Sequence, residues 1–268
     1  MAIHYKKPYE NITIDGAYNW PNYFTAEQKR KLTEAYEVKV TKQLNKIASV
    51  STGIAVLKEI SRSLSAIRII PRLDPSGNDV LNASEYPTDR TLATQRGMPV
   101  LCTTPGPAGM GGGLPGLGSD AVVEYWAAIW ETGSSQSGPG TRPDEVLLHE
   151  LVHAVRDMWG VSHVCSKVGG GYDNVEEFYA ILVSNMYMSE QHQATLRANH
   201  GAYSPMKKED EKNFLKTYHS LIEAFTEDQP FLASQLNLVK CRFNPIREYE
   251  EEWKDQEAQP GSIASTPR

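Results

Sequence analysis

The chain has 268 residues, of which 40% are hydrophobic and 22% are charged, and its formal net charge at pH 7 is −6. This composition is typical of a globular protein with a substantial core, and the acidic balance argues against non-specific nucleic-acid binding. No apolar run is long enough to span a membrane, and residues 1–16 lack the apolar core of a secretory signal peptide.

Helical periodicity dominates the chain. It predicts helices over residues 26–48, 53–63, 143–159, 174–188, 207–225 and 229–239. Thr25 and Gln28 predict a capping box at the start of the first helix. Two β-branched or apolar segments, 66–71 and 121–129, predict strands, whereas the turn-forming residues of 72–118 predict loops. Strands early in the chain and helices late in the chain predict an α+β fold.

The glycine-rich stretch 104–120 contains the pattern GxGxxG at Gly111, Gly113 and Gly116. A dinucleotide-binding fingerprint must follow a strand and open a helix. Here Pro115 intervenes and a strand pattern follows. The sequence therefore predicts a mobile loop that borders a cleft, and not a nucleotide site.

The predicted organisation is a single domain over residues 1–254. A small early sheet packs against a mainly helical second half, with the helix over 143–159 at the centre. Residues 255–268 have no apolar periodicity and predict a disordered tail. The three cysteines, Cys102, Cys165 and Cys241, form no CxxC pair, which excludes a cysteine-rich zinc knuckle and predicts reduced thiols.

The segment PDEVLLHELVHAVRDMWG, residues 143–160, strongly favours a helix. Thr141 and Asp144 predict a capping box, and Pro143 suits the first helical turn. Gly160 predicts the end of the helix. Two histidines and one glutamate interrupt its otherwise apolar run.

The interruption has the form HExxH. Residues four apart share one face of a helix, so His149 and His153 can direct two ring nitrogens at one metal ion. Glu150 projects beside that ion, where it can take a proton from a metal-bound water and pass it to a leaving amine. The alternative is a pair of buried, hydrogen-bonded core histidines, and without partners such rings are costly to bury. The sequence therefore predicts one Zn²⁺ per chain.

A catalytic zinc of this kind needs a third protein ligand and an open position. Glu176 and Glu177 follow on the next predicted helix. Capping does not separate them, because Asp173 could pair with Glu176 and Asn174 with Glu177. If both glutamates only cap the helix or face solvent, the third ligand would be one of three histidines: His163, His192 or His200.

HELVH with a glutamate on a downstream helix resembles the gluzincin type of zinc metalloprotease. Gluzincins carry Glu-x-x-Ala/Ser-Asp at the third ligand, and the match here is EFYAI at 177–181, with Ile181 in place of the aspartate. The resemblance implies a zincin-like fold and Glu177 as the ligand that joins His149 and His153. The replaced aspartate puts in question the hydrogen bond that normally orients the first histidine.

A wider similarity covers residues 50–190. The segments TGIAVLKEISRS, AIRIIP, GLGSDAVVEY and VLLHELVHAVRDMWG occur in an order that resembles NleD-like bacterial effector peptidases. The order also resembles the metallopeptidase domains linked to VgrG spike proteins of type VI secretion, although this chain shows no spike portion. The resemblance implies a toxin made in the cytoplasm and delivered into another cell, with a secretion-system spike or an immunity protein as a partner.

The leading functional hypothesis is a zinc-dependent endopeptidase with Glu150 as the general base and a protein or peptide as the substrate. His200 and Tyr203 are candidate donors to the oxyanion. Strand 121–129 precedes the zinc helix, as the peptide-binding edge strand does in zincins, but an ordinary core strand fits its residues equally well. Arg156 is expected to pair with a surface acid. A zinc amidase acting on cell-wall peptide would have the same metal centre, whereas a non-catalytic metal-binding module would leave Glu150 without a role.

Overall fold

The computed structural model describes residues 3–4, 9–18, 20–72, 83–96, 114–126, 138–163 and 168–257, with the backbone alone at 3–4 and 253–257. Its strands are β1 (Ile3–His4), β2 (Ile12–Ile14), β3 (Ile67–Ile70), β4 (Ser84–Pro87) and β5 (Ala121–Glu124). Its helices are α1 (Ala26–Ile47), α2 (Ser51–Arg62), α3 (Arg90–Ala93), α4 (Pro143–Met158), α5 (Val175–Glu190), α6 (Lys208–Lys212), α7 (Phe214–Asp228), α8 (Pro230–Asn237) and α9 (Pro245–Glu257). The predicted α+β class is confirmed, with a small mixed sheet and a mainly helical remainder.

The strands form one sheet in the order β1-β2-β3-β5-β4. The inner strands β2, β3 and β5 run parallel, and the two outer strands pair antiparallel with their neighbours. Of the two alternatives for the strand within 121–129, the structure has the core strand and not the edge strand, since β4 covers β5 on that side. Ser84–Pro87 reads Ser-Glu-Tyr-Pro, which has no apolar alternation, so periodicity could not reveal it. Polar residues and proline are nevertheless typical of edge strands.

Most of the predicted helices are confirmed within a few residues. The capping box of α1 is present, because the Thr25 hydroxyl accepts from the Gln28 amide and the Gln28 side chain accepts from the Thr25 amide. The helix predicted over 207–225 divides at Asn213 into α6 and α7. The sequence analysis missed β1, β2, α3 and α9, which are short or strongly charged and lack a clear apolar period.

Helix α4 lies at the centre of the core, as predicted. It packs against α1, α2, α5, β4 and β5, and all its residues except Pro143 and His153 are buried. A helix buried on all sides has to satisfy each of its polar side chains inside the protein. The polar residues of α4 therefore lie either in ion pairs or in a cavity.

The start of α4 differs from the prediction, and its end agrees. Thr141 does not cap the helix, because its hydroxyl donates to the Gly138 carbonyl at 2.7 Å. Asp144 instead accepts from Lys46 at 2.7 Å and from Tyr187 at 2.9 Å, and thus ties α4 to α1 and α5. Asp144 therefore pairs with side chains on other helices and does not form the predicted capping box with Thr141. Gly160 ends the helix with φ +67, as predicted.

Several predictions fall outside the described residues. They concern most of the loop predicted over 104–120, together with Cys102 and Cys165; the described Cys241 is free. Helix α9 runs to Glu257, and the remaining residues of the predicted tail, 258–268, are not described. The single-domain boundary at residue 254 stays a prediction. Among the described helices, none is both long and apolar enough to cross a membrane.

Candidate metal centre

Helices α4 and α5 bring three of the predicted ligands together. The Nε2 atoms of His149 and His153 are 3.1 Å apart. One oxygen of Glu177, Oε2, lies 3.0 Å from Nε2 of His149 and 3.5 Å from Nε2 of His153. We call His149, His153 and Glu177 the metal centre. That they bind zinc stays a prediction.

The spacing of these atoms fits a tetrahedral ion. Zn²⁺ binds imidazole nitrogen and carboxylate oxygen at about 2.0–2.1 Å, so two ligand atoms of a tetrahedral site lie about 3.3 Å apart. The three separations in the metal centre, from 3.0 to 3.5 Å, bracket that value. Two imidazoles and one carboxylate are also the donor set of a catalytic zinc with an open position. The residues present therefore fit the metal.

The capping of α5 decides which glutamate enters the metal centre. The side chain of Asn174 accepts from the Glu177 amide at 2.9 Å, so α5 begins with Asn174 as its N-cap. Glu177 then faces α4 at the histidines. Glu176 points elsewhere, accepting from Arg156 at 2.6 Å and from the His163 amide at 2.7 Å. The choice that the gluzincin resemblance favours agrees with this placement.

Arg156 corrects another prediction. It was expected on the surface, yet its side chain is fully buried behind the metal centre. It binds Glu176 and, at 3.1 Å, Asp228, which also lies 3.1 Å from Nε2 of His163. We call Arg156, Glu176, Asp228 and His163 the ion-pair network. A charged residue on an apolar helix is expected at the surface, unless side chains from other elements pair with it in the core.

His200 reaches the metal centre from the loop after α5. Its Nε2 atom lies 3.1 Å from Oε2 of Glu177, and its ring stacks parallel to that of His149 at 5.9 Å between centroids. The ligand atoms of His149, Glu177 and His200 all lie within 4.8 Å of one another, so this group could also hold a metal ion. Asp173 orients His200 through a 2.6 Å contact with Nδ1.

The other sequence candidates lie away from the metal centre. His163 belongs to the ion-pair network, and His192 follows α5 at a separate cavity. The ring of Tyr203 lies 4.5 Å from the Arg197 guanidinium, and no hydrogen bond joins Tyr203 to the three ligands within the described residues. Of the candidate oxyanion donors, only His200 is therefore adjacent to the ligand atoms.

Glu150 lies on α4 beside the histidines and is almost completely buried. Burial raises its pKa to about 7; the charge of His153 opposes this shift and the charge of Glu177 adds to it. Burial lowers the pKa of His149 to about 3. Burial would also lower the pKa of His153, but the carboxylate of Glu177 raises it to about 9.

Two cavities meet at His149 and Glu150. The front cavity, of about 230 Å³, is lined by the metal centre and by β4, including Ser84, Glu85 and Pro87. The rear cavity, of about 360 Å³, extends from the same two residues toward Glu145 and Arg197. The position of β4 at the front cavity was not predicted, because the strand has no periodic signal.

Ile181 stands where gluzincins have an aspartate, and one ring nitrogen of His149 lacks a hydrogen-bond partner in the described residues. Ile181 is fully buried, and among the described residues Nδ1 of His149 has no hydrogen-bond partner, although it is buried. A metal-ligating histidine usually donates its second ring nitrogen to a carboxylate, a carbonyl or a water. His149 is therefore held by packing between α4 and α5 and by its contact with Glu177.

Comparison with known proteins identifies one family. The family model Peptidase M91, described as "Effector protein", matches residues 25–221. The match runs from the cap of α1 into α7 and includes both helices of the metal centre. No curated protein matches the chain significantly.

Proposed function

Because this chain belongs to the Peptidase M91 family, we propose that it is a zinc-dependent endopeptidase of the zincin-like gluzincin type. His149, His153 and Glu177 would hold the ion. The observation that carries the proposal is the convergence of their three ligand atoms to separations of 3.0–3.5 Å. A zinc ion held there would supply the Lewis acidity that hydrolysis of a peptide bond needs.

Glu150 is the general base in this proposal. Its carboxyl group lies at the junction of both cavities, next to the metal centre. It accepts a proton from the attacking water and returns that proton to the amine that leaves. Burial raises the pKa of this carboxyl group, which favours its holding the proton between the two transfers.

His200 is the proposed donor to the oxyanion. Its Nε2 atom faces the metal centre, and Asp173 holds the opposite ring nitrogen. The carboxylate of Asp173 accepts a hydrogen bond from Nδ1–H and fixes the ring orientation. When the ring carries a second proton, Nε2–H would donate to the oxygen of the scissile carbonyl as that oxygen becomes negative. Positioned donors of this kind lower the barrier because they need no reorganisation during the reaction.

The substrate is proposed to bind as an extra strand on β4. This strand pairs with β5 on one side only, and its residues Ser84, Glu85 and Pro87 line the front cavity. An extended peptide that pairs with such an edge is held by main-chain hydrogen bonds, largely independent of its sequence. A peptide bound in this way would place its scissile bond next to Glu150.

The family description supports a role as an effector. We propose that the chain acts as a bacterial toxin inside a target cell, delivered by a specialised secretion system such as type VI. A spike protein and an immunity protein are the partners that this route implies. Expression inside target cells tests the proposal: the wild-type chain should be toxic and the Glu150→Gln variant should not be.

Metal analysis and proteolysis of the purified chain test the proposed activity. We expect one zinc per chain, and cleavage of an unfolded protein by the wild type. Glu150→Gln should retain the zinc and lower kcat/KM by about 10²–10⁴-fold, the usual contribution of a general base. Full activity in this variant would reject Glu150 as the base. Release of cell-wall peptides, without cleavage of the unfolded protein, would support the amidase instead.

A further inference from the structure

The rear cavity has a polar floor that catalysis at the metal centre does not use. Glu145 lies one helical turn before His149 on the same face of α4, and Ser184 reaches the cavity from α5. Both side chains are at least 98% buried. Among the described residues, no hydrogen-bond partner of ordinary geometry is present for either carboxylate oxygen of Glu145 or for the hydroxyl of Ser184.

A buried carboxylate without a cation or a well-formed hydrogen bond destabilises a folded protein. Burial raises the pKa of Glu145 to about 7, although the Gly140 amide and the charge of Arg197 act to lower it. Native proteins pair almost all such groups, so an exception that faces a cavity indicates a missing ligand. When Glu145 is ionised its carboxylate only accepts hydrogen bonds, so a ligand of the ionised form has to donate them.

Arg197 also lines the rear cavity, but two of its three guanidinium nitrogens donate to backbone carbonyls. Its Nε atom donates to the Asn199 carbonyl at 2.8 Å, and a terminal nitrogen donates to the His200 carbonyl. Its guanidinium faces the ring of Tyr203. Arg197 therefore holds the loop that carries His200, and it leaves Glu145 without a hydrogen-bonded cation.

The charges around the rear cavity favour a cationic occupant. Three carboxylates line it, those of Glu145, Glu150 and Asp173, against the single guanidinium of Arg197. The volume of about 360 Å³ admits one long side chain. Because this cavity and the front cavity meet at His149 and Glu150, such a side chain could belong to a peptide bound at the metal centre.

We propose that the rear cavity is a specificity pocket that takes a lysine or arginine side chain of the substrate next to the scissile bond. The cationic end pairs with Glu145 and donates a hydrogen bond to Ser184. The inference rests on the proposed endopeptidase activity and adds a substrate class to it, namely peptides with a basic residue at one fixed position beside the cut.

Cleavage of a peptide library tests the pocket. The wild type should cut preferentially where lysine or arginine occupies one fixed position beside the scissile bond. Glu145→Gln should lower kcat/KM for the basic substrate by about 30-fold, as expected for the loss of a buried charge pair. The same variant should cleave a norleucine analogue as well as the wild type does. Ser184→Ala should lower only the rate for the basic peptide, by several-fold.

Asp144→Asn is the matched control. Asp144 is the neighbouring buried carboxylate on α4, but it pairs with Lys46 and Tyr187 and does not line the rear cavity. Its loss should leave the preference for basic residues unchanged. An unaltered preference in Glu145→Gln, or no enrichment of basic residues by the wild type, would overturn the pocket and leave the endopeptidase activity standing.

A binding measurement decides the pocket independently of turnover. Fluorescence anisotropy with the inactive Glu150→Gln chain should show the lysine peptide bound at least about tenfold more tightly than its norleucine analogue. Adding Glu145→Gln should abolish that difference. If no peptide is cleaved by the wild type, the proposed activity fails, and this assay still decides the pocket, since equal affinity for the two peptides would reject it.

Discussion

Glu176 and Glu177 are adjacent on α5, yet their carboxylates belong to two different regions. Glu177 joins the metal centre, where three ligand atoms converge on one another at the wall of a cavity. Glu176 joins the ion-pair network, where Arg156 and a backbone amide bind its two oxygens. The first region gathers acceptors that need a cation, and the second already contains its own cation.

The two regions are expected to contribute differently, the metal centre to activity and the ion-pair network to stability. Removing a group from the metal centre takes away a ligand and leaves the core in place. Removing a group from the ion-pair network leaves Arg156 as a buried charge with fewer partners, which is costly in a low-dielectric interior. Substitutions in the metal centre should therefore affect activity, and those in the network should affect stability.

Glu177→Gln should have the largest effect. The neutral amide replaces the charged ligand, so zinc affinity should fall by at least about 100-fold, beyond the loss seen for residues that only orient ligands. Proteolysis should fall with it. Titration of the apo chain with zinc measures the affinity. Glu190→Gln is the matched control on α5, because that carboxylate binds the amides of Ser51 and Thr52, far from the metal centre. Equal zinc affinity in wild type and Glu177→Gln would contradict the ligand assignment.

His200→Ala should lower kcat by about 10²–10³-fold, as loss of an oxyanion donor does elsewhere. Zinc content should stay at one ion per chain, because His149, His153 and Glu177 remain. Parallel metal analysis and kinetics give both quantities. If zinc content falls with activity, His200 is a ligand, consistent with the 4.8 Å group that it forms with His149 and Glu177, and not an oxyanion donor.

Glu176→Gln tests the ion-pair network. Loss of one partner of the buried Arg156 should lower the free energy of unfolding by about 3 kcal/mol. For a chain of this length that corresponds to a fall of roughly 6–12 °C in Tm. Zinc affinity should remain within a few-fold of the wild type. Calorimetry and zinc titration of the same sample check both, and a large loss of zinc with unchanged Tm would show that the two glutamates have exchanged roles.

Asp228→Asn should have the smallest effect, seen best in its pH dependence. Burial would raise the pKa of Asp228, but His163 and Arg156 outweigh burial and lower it below the usual value. A carboxylate with a lowered folded-state pKa stabilises the protein above its unfolded pKa, and this contribution is lost as the pH falls through the folded value. The wild type should exceed the variant in stability at pH 7, with the gap narrowing below about pH 4. Urea unfolding at several pH values measures it, and a constant gap would contradict the ion pairing.

Much of the fold could be predicted from periodicity and capping. The helices around the metal centre and strand β3 have strong apolar patterns, so their residues indicate their conformation whatever surrounds them. β4 and α9 could not be found in this way. A polar edge strand is stabilised by pairing with β5, and a charged helix by packing on α7 and α8, and neither contact has a local signal.

The sequence by itself determined the ligand face of α4, because HExxH on a helix places His149 and His153 one turn apart and Glu150 beside them. Only the tertiary structure decided the partners from other elements. Which glutamate faces the histidines depends on the Asn174 cap and the crossing of α4 with α5, and His200 arrives from a loop. The acids that pair with Arg156 come from α5, which carries Glu176, and from the end of α7, which carries Asp228. These contacts join segments that are far apart in the chain, so they form only when the chain has folded.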